Sequence, residues 1–306
     1  MDLSAATEHR HLLDPATLAK VEGLDLRTRF LVEGMMSGRH RSPFRGFSVE
    51  FVEHRRYSQG DDLKHLDWKV FGRSDKYYVK QYQQESNLQL MIVLDASESM
   101  AYRSDARGLS KHEYAGIVAA GIAYLVLQQG DAVGLARFDE NAHRVYKATN
   151  HPAQFNTIIH ELEQPPVGKK TCIRPVLDAL AEQLTRRHMV VILSDLFDDP
   201  DDILRGIRHL RHCRHEPMVL HILDHAELEF PFTQWTRFKG LEGFDPLLTE
   251  PRMVRERYLA EVRRFQEKVR QGCHELKADY TVFDTSLAID QALSDYLATR
   301  AHRNEG

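Results

Sequence analysis

Residues 88–99 read LQLMIVLDASES, and this stretch decides the fold class. Residues 88–94 are almost wholly apolar, which predicts a strand covered on both faces of a parallel sheet. The apolar run stops at Asp95, and two serines follow at alternate positions, Ser97 and Ser99. Open α/β sheets bind ligands outside the carboxyl ends of their strands, so a polar cluster directly after a buried strand predicts a binding site.

A second buried strand is predicted further along the chain. Residues 189–193 read MVVIL and lead into Ser194 and Asp195. Helical and strand patterns alternate around it, which predicts an α/β fold: a doubly wound, mostly parallel sheet with helices on both faces. We expect helices near residues 111–129, 152–162, 171–187, 201–212, 253–276 and 287–299, and further strands near 132–137, 143–146, 218–223 and 280–283. Residues 226–250 interrupt the alternation and are expected to form an inserted loop or hairpin.

The N-terminal part of the chain has a different pattern. Apolar residues at helical spacing predict a helix over residues 15–36, with Asp14 as its N-cap. Alternating residues 47–53 predict a strand, and residues 54–80 look irregular. We therefore expect a smaller region, residues 1–86, containing a helix and some β structure, followed by an α/β domain over residues 87–306.

The composition is that of a globular protein. Of the 306 residues, 42% are hydrophobic and 28% are charged, which is enough to build a core. The small net charge of −4 argues against wholesale nucleic-acid binding. The sequence has no apolar run of about 18 residues and no secretory signal pattern at its start. We expect a cytoplasmic protein without a membrane segment, in which the three widely spaced cysteines are reduced.

The polar residues at the two strand ends point to a divalent metal ion. Carboxylate and hydroxyl oxygens are the hard ligands that suit Mg²⁺ or Mn²⁺, and no soft ligand accompanies them. A further hydroxyl comes from Thr171, which follows the loop at residues 167–170 and begins a predicted helix. We expect the five candidate metal ligands to converge within a few ångströms: Asp95, Ser97, Ser99, Thr171 and Asp195.

These residues carry a resemblance to known families. The order Asp95-x-Ser97-x-Ser99, then Thr171, then Asp195 resembles the metal-ion-dependent adhesion site (MIDAS) of the von Willebrand factor A family. Upstream, residues 56–69 read RYSQGDDLKHLDWK and residues 76–80 read KYYVK. This second pattern resembles the signature of domain-of-unknown-function family 58, a bacterial family whose members join it to a von Willebrand A-like domain. The resemblance covers nearly the whole chain.

The resemblance implies a function as well as a fold. It implies a non-enzymatic, metal-dependent adaptor that binds an acidic side chain of another protein. It also implies a MoxR-type AAA+ ATPase as a partner in the assembly or maturation of protein complexes. The sequence departs from the family pattern at Cys172, where an acidic residue is common, and Lys169 and Lys170 add nearby positive charge that would weaken cation binding.

Two other function classes remain open from the sequence. The first is a metal-dependent phosphoryl-transfer enzyme with Asp95 as nucleophile, helped by Lys169 or Lys170 and by Asp198 and Asp199. The usual aspartyl-phosphatase pattern, however, has a second Asp where this chain has Ser97. The second is a nucleic-acid binder that uses the arginine-rich residues 39–80, although the chain contains no known nucleic-acid-binding motif.

Overall fold

A six-stranded sheet forms the centre of the protein. The computed structural model describes residues 23–37, 53–56, 78–81, 89–138, 142–166, 172–238 and 247–304. The strands in these ranges are β1 (Glu53–Arg56), β2 (Tyr78–Gln81), β3 (Gln89–Asp95), β4 (Ala132–Phe138), β5 (Ala142–Thr149), β6 (Met189–Ser194), β7 (Glu216–Leu223), β8 (Thr236–Phe238), β9 (Leu247–Thr249) and β10 (Asp279–Asp284). The helices are α1 (Leu24–Ser37), α2 (Lys111–Gln128), α3 (Ala153–Leu162), α4 (Ile173–Gln183), α5 (Pro200–His212), α6 (His225–Glu229), α7 (Pro251–Glu275) and α8 (Ile289–Asn304).

The order of strands in the central sheet is β10-β7-β6-β3-β4-β5. All neighbours are parallel except β5, which runs antiparallel to β4. From β3 the chain moves outward through β4 and β5, then crosses to the other side for β6, β7 and β10. The strand order therefore reverses between β3 and β6, and this is where such sheets bind their ligands.

The two faces of the sheet are covered by two separate hydrophobic cores. Leu90, Ile92 and Leu94 of β3 enter a core shared with α1, α2, α3 and α8. Met91 and Val93 enter the opposite core, shared with α4, α5 and α7. Burying each such side chain contributes roughly 1.5–3 kcal/mol, which explains why β3 is apolar at every internal position. The predicted α/β architecture with helices on both faces is confirmed.

Helix α2 is the most deeply buried helix in the described part of the chain, and a capping box fixes its start. Ser110 Oγ accepts a hydrogen bond from the Glu113 backbone N–H at 3.2 Å, and the Glu113 carboxylate accepts one from the Ser110 backbone N–H at 2.8 Å. Such caps are worth about 1 kcal/mol. The cap places Lys111 at the first helical position, beside the carboxyl edge of the sheet.

Helix α1 packs into one of the two cores of the sheet. Leu31 is fully buried and lies in the same cluster as β3. A Cβ atom on Gly121 of α2 would lie 2.8 Å from Leu31 Cδ2, so the glycine lets the two helices approach closely. The predicted helix over residues 15–36 is found over Leu24–Ser37, and residues 15–22 lie outside the described residues.

The prediction that residues 54–80 are irregular is wrong at its two ends, and residues 57–77 lie outside the described residues. Glu53–Arg56 and Tyr78–Gln81 pair as an antiparallel two-stranded sheet. Neither short segment shows a clear alternation of apolar and polar residues. Each becomes a strand because it forms backbone hydrogen bonds with the other. Most of the strand predicted at residues 47–53 lies outside the described residues.

The inserted segment contains a short helix and a hairpin. Helix α6 follows β7 directly, and β8 pairs antiparallel with β9. Helix α4, predicted over residues 171–187, is shorter than expected because Leu184 leaves the helical conformation and ends it. In the described ranges, no helix combines the length and the apolar character needed to cross a bilayer.

Candidate functional site

The candidate site lies at the carboxyl ends of β3 and β6, which are adjacent parallel strands. Asp95 is the last residue of β3, and Asp195 follows Ser194, the last residue of β6. The register pairs Leu94 with Leu193, so the two strands end side by side. Two carboxylates separated by a hundred positions in the sequence are thus brought to the same edge of the sheet.

The serines of the β3 loop turn back toward this edge. The Ser97 backbone N–H donates to Asp95 Oδ1 at 2.9 Å, which closes a tight turn directly after the strand. The Ser97 and Ser99 hydroxyl oxygens lie 3.0 Å apart, and the Ser99 hydroxyl is close enough to Asp195 to help lower the pKa of that carboxyl. All four of these side chains are buried. The structure therefore brings Asp95, Ser97, Ser99 and Asp195 together.

Ser194, which the sequence analysis did not assign to the site, ties the two strand ends together. Its hydroxyl donates to Asp95 Oδ2 at 2.5 Å and accepts from the Leu196 backbone N–H at 2.9 Å. Burial and the negative charge of Asp195 raise the pKa of Asp95 to about 7. Asp95 therefore lies among hydrogen-bond donors but has no cationic side chain against it in the described residues.

Lys111 supplies a positive charge to the other carboxylate. Its Nζ lies 2.7 Å from Asp195 Oδ2 and 2.8 Å from Glu227 Oε1, and its side chain is only 1% exposed. Burial alone would raise the pKa of Asp195, but the Lys111 ammonium holds that pKa below its usual range. Burial opposes the charged form of Lys111 as well, yet the two carboxylates raise its pKa, so the ammonium stays protonated.

A neutral histidine, His221, fixes the backbone of Asp195. His221 of β7 is buried, and burial lowers its pKa to about 4. Its Nε2 lies 2.9 Å from the Asp195 carbonyl oxygen, and its Nδ1 lies 2.7 Å from the Tyr280 hydroxyl. With the carbonyl as acceptor, Nε2 carries the proton and Nδ1 accepts from Tyr280. The histidine fixes the turn after β6 without adding charge.

The loop that precedes α4 is the part of the predicted site that the structure does not describe. Thr171 lies outside the described residues, as do Lys169 and Lys170. Cys172 stands at the N-cap of α4 and makes no side-chain capping bond. The Ile173 backbone N–H donates to Asp198 Oδ2 at 3.0 Å, which brings the start of α4 near the loop after β6.

Comparison with known proteins identifies the family. A family model described as "Protein of unknown function DUF58" matches residues 53–268. The chain belongs to this family. The membership predicted from residues 56–69 and 76–80 is therefore confirmed.

Individual relatives of this DUF58 chain are distant. It is 29% identical over 221 residues to "Uncharacterized protein Rv1480" of Mycobacterium tuberculosis (strain ATCC 25618 / H37Rv), a match that covers 71% of this chain and 68% of that protein. Similar solved structures include BatB from Bacteroides thetaiotaomicron, with 14% identity, a TM-score of 0.47 and coverage of 71% of this chain and 99% of that one. They also include the SpRpn10 VWA domain, with 13% identity, a TM-score of 0.39 and coverage of 70% and 94%.

The side chains gathered at this edge of the DUF58 chain offer carboxylate and hydroxyl oxygens, the ligand types that hard divalent cations prefer. Within the described ranges, no three or more His, Cys, Asp or Glu residues are grouped in a way that could hold a metal, so the candidate ligands include hydroxyls. When ionised, Asp195 and Glu227 share the Lys111 ammonium, whereas the buried Asp95 beside Asp195 has no cationic side chain against it in the described residues. Buried charge requires compensation, and a divalent ion would supply it. The residues therefore fit Mg²⁺ or Mn²⁺.

Three residues named for phosphoryl transfer, Asp95, Asp198 and Asp199, make other hydrogen bonds, and Lys169 and Lys170 lie outside the described residues. Asp95 is fully buried and accepts hydrogen bonds at both carboxylate oxygens. Asp198 accepts from the first turn of α4, and Asp199 caps α5 by accepting from the Asp201 backbone N–H at 2.7 Å. A nucleophile needs an approach path, and its helpers must face it. The geometry gives this alternative no support.

Proposed function

We propose that this protein is an interaction module that binds a partner protein through a divalent metal ion at the carboxyl edge of its sheet. The observation that carries the proposal is the meeting of Asp95, Ser97, Ser99 and Asp195 at the point where the strand order reverses. We propose Thr171 as a fifth ligand from the sequence pattern.

In this proposal the site residues contribute to metal binding in different ways. The hydroxyls of Ser97 and Ser99 are neutral ligands, and the carboxylates of Asp95 and Asp195 supply negative charge. A bound Mg²⁺ or Mn²⁺ with few direct carboxylate ligands keeps residual positive charge and would attract an acidic side chain of the partner. Ser194 holds Asp95 in place, and Lys111 together with His221 holds Asp195.

The partner that we propose is a MoxR-type AAA+ ATPase. The support is the resemblance of residues 56–69 to the DUF58 signature together with the family membership itself. In this proposal the protein recruits or adapts a client for the ATPase during the assembly or maturation of a protein complex, and it does so without catalysis of its own.

Isothermal titration with Mg²⁺ and Mn²⁺ tests the metal part. Wild type should bind one ion, and Asp95→Ala and Ser97→Ala should weaken binding at least about tenfold, a loss of about 1.4 kcal/mol. Asp105→Ala and Ser104→Ala serve as matched controls because both residues are exposed in the loop after the site. Equal binding by all five proteins would end the proposal of a metal at this position.

A pull-down tests the partner part. A MoxR-type ATPase encoded next to this chain should be retained by the wild-type protein in Mg²⁺ and released in EDTA. Asp95→Ala should retain less ATPase, and Asp105→Ala should retain as much as wild type. Retention that is equal in EDTA and in Mg²⁺ would show that the ATPase binds elsewhere on the molecule.

A further inference from the structure

Lys111 occupies an unusual position for a lysine. It begins α2, a helix whose next residues are almost all buried, and its own side chain is 1% exposed. Lysine is almost never fully buried unless it is paired. Here the ammonium is bonded to Asp195 and Glu227, and it lies 5.8 Å from the centre of the Tyr102 ring. The charge is fully compensated by groups that all belong to the candidate site or border it.

Stability alone does not account for this arrangement. Replacing a buried ion pair by apolar side chains of similar volume is often neutral or stabilising, because the desolvation of both charges cancels their attraction. Apolar residues in place of Lys111, Asp195 and Glu227 together would therefore serve the fold as well, whereas loss of Lys111 alone would leave both carboxylates without their cation. The retained lysine therefore points to a role in the electrostatics of the neighbouring site.

Glu227 links this lysine to the start of the inserted segment. Its second carboxylate oxygen accepts from the Asp224 backbone N–H at 2.8 Å, as part of the capping box of α6. Asp224 in turn accepts from the Ser104 backbone N–H at 3.0 Å. The ammonium is thus held between Asp195 and Glu227.

We infer that Lys111 is a resident cation that sets the affinity of the site for a divalent metal ion. The inference rests on the proposed function and deepens it. The ammonium occupies one oxygen of Asp195 and repels a second cation, so it lowers the affinity of the site and keeps a bound divalent ion exchangeable. Without Lys111, the same oxygens would carry one more uncompensated negative charge and would hold the ion more tightly.

Manganese titration of charge-removing variants tests this role. Lys111→Gln keeps a hydrogen-bond donor for Asp195 but removes the charge, and Lys111→Met removes both. Either variant should bind Mn²⁺ at least about tenfold more tightly than wild type, because a unit charge within hydrogen-bonding distance of a ligand oxygen is removed. Lys268→Met is the matched control, since Lys268 also pairs with an aspartate at 2.7 Å, Asp201, but is 48% exposed on α7.

A merely structural role for Lys111 predicts the opposite sign. If the lysine only shaped the site, its loss would disorder Asp195 and weaken Mn²⁺ binding. Thermal melts with and without Mn²⁺ give a second readout: the Mn²⁺-induced rise in Tm should be larger in Lys111→Gln than in wild type. If Lys111→Met folds only when Mn²⁺ is present, that also supports the inference, and failure of both variants to fold at any Mn²⁺ concentration would overturn it.

The outcomes separate this inference from the proposed function. If wild type binds Mn²⁺ and the folded Lys111 variants bind it equally tightly or more weakly, the inference about Lys111 is wrong and the proposed function stands. Binding by the variants but not by wild type supports the inference and removes the metal dependence from the wild-type function. If neither wild type nor variants bind Mn²⁺, both are wrong.

Discussion

Replacing Asp95 by asparagine tests the electrostatics of the site through the stability of the fold. Asp95 is fully buried, and burial together with the charge of Asp195 raises its pKa from 3.8 to about 7. A raised pKa means that the folded state holds the proton more tightly than the unfolded chain does. The stability contributed by the protonated carboxyl is fully present below about pH 4 and is lost as the pH rises through about 7.

The size of the effect follows from the size of the pKa shift. One pKa unit corresponds to about 1.4 kcal/mol, so Asp95 should cost wild type about 3 kcal/mol of unfolding free energy between about pH 5 and pH 8. Asparagine stays neutral and escapes this loss. Its amide can accept from either Ser97 or Ser194, and losing one of these hydrogen bonds costs about 1–2 kcal/mol at every pH. We expect Asp95→Asn to be slightly destabilised at the lower pH and stabilised at the higher one.

Urea denaturation in EDTA at four pH values from about 5 to 8 measures the difference between the two proteins. Titration of shared groups that do not interact with residue 95 cancels in this difference. Asp105→Asn, which removes an exposed carboxylate, is the control and should follow wild type. Parallel pH profiles for wild type and Asp95→Asn would refute the reasoning. Mg²⁺ at about a hundred times Kd and at the higher pH should stabilise wild type by about 2.7 kcal/mol and Asp95→Asn far less.

Three further predictions concern the fold around the site. Gly134→Ala should destabilise the protein by about 1–3 kcal/mol, because the new Cβ would lie 2.6 Å from a carbonyl oxygen of β5. Gly116→Ala should instead stabilise it by about 0.5–1 kcal/mol, because the new Cβ would have no atom nearer than 3.9 Å. Urea denaturation measures both changes, and equal signs would contradict the packing argument. Leu31→Ala should lower the unfolding free energy by about 2–5 kcal/mol within one cooperative unfolding transition, since α1 shares the core of the sheet. A loss below about 1 kcal/mol would place α1 outside this core. Burial lowers the pKa of His112 from 6.5 to about 4, so the stability that the neutral imidazole contributes is present above about pH 6.5 and is lost as the pH falls to about 4. His112→Gln should remove up to about 3 kcal/mol of this acid destabilisation. An unchanged dependence of the unfolding free energy on pH in this range would disprove the prediction.

The features that the sequence analysis did not predict share a common cause. Strands β1 and β2 were missed because each is four residues long and exists through pairing with the other. Ser194 was noted at the end of its strand but not assigned to the site, because an ordinary turn residue and a ligand-positioning residue look alike in sequence. In each case the decisive information was the identity of a spatial neighbour.

The sequence by itself determined the doubly wound sheet and the edge at which the acidic and hydroxyl residues gather. Short apolar runs such as residues 88–94 and 189–193, set among alternating helical patterns, are typical of central strands, and the residues that follow such strands emerge at the carboxyl edge. Only the tertiary structure decided how the charge at that edge is balanced. Lys111 lies 84 positions from Asp195 and 116 from Glu227. No local pattern links these residues, because their contact depends on the fold; burial of the Lys111 and Asp195 charges is tolerated only because they are paired.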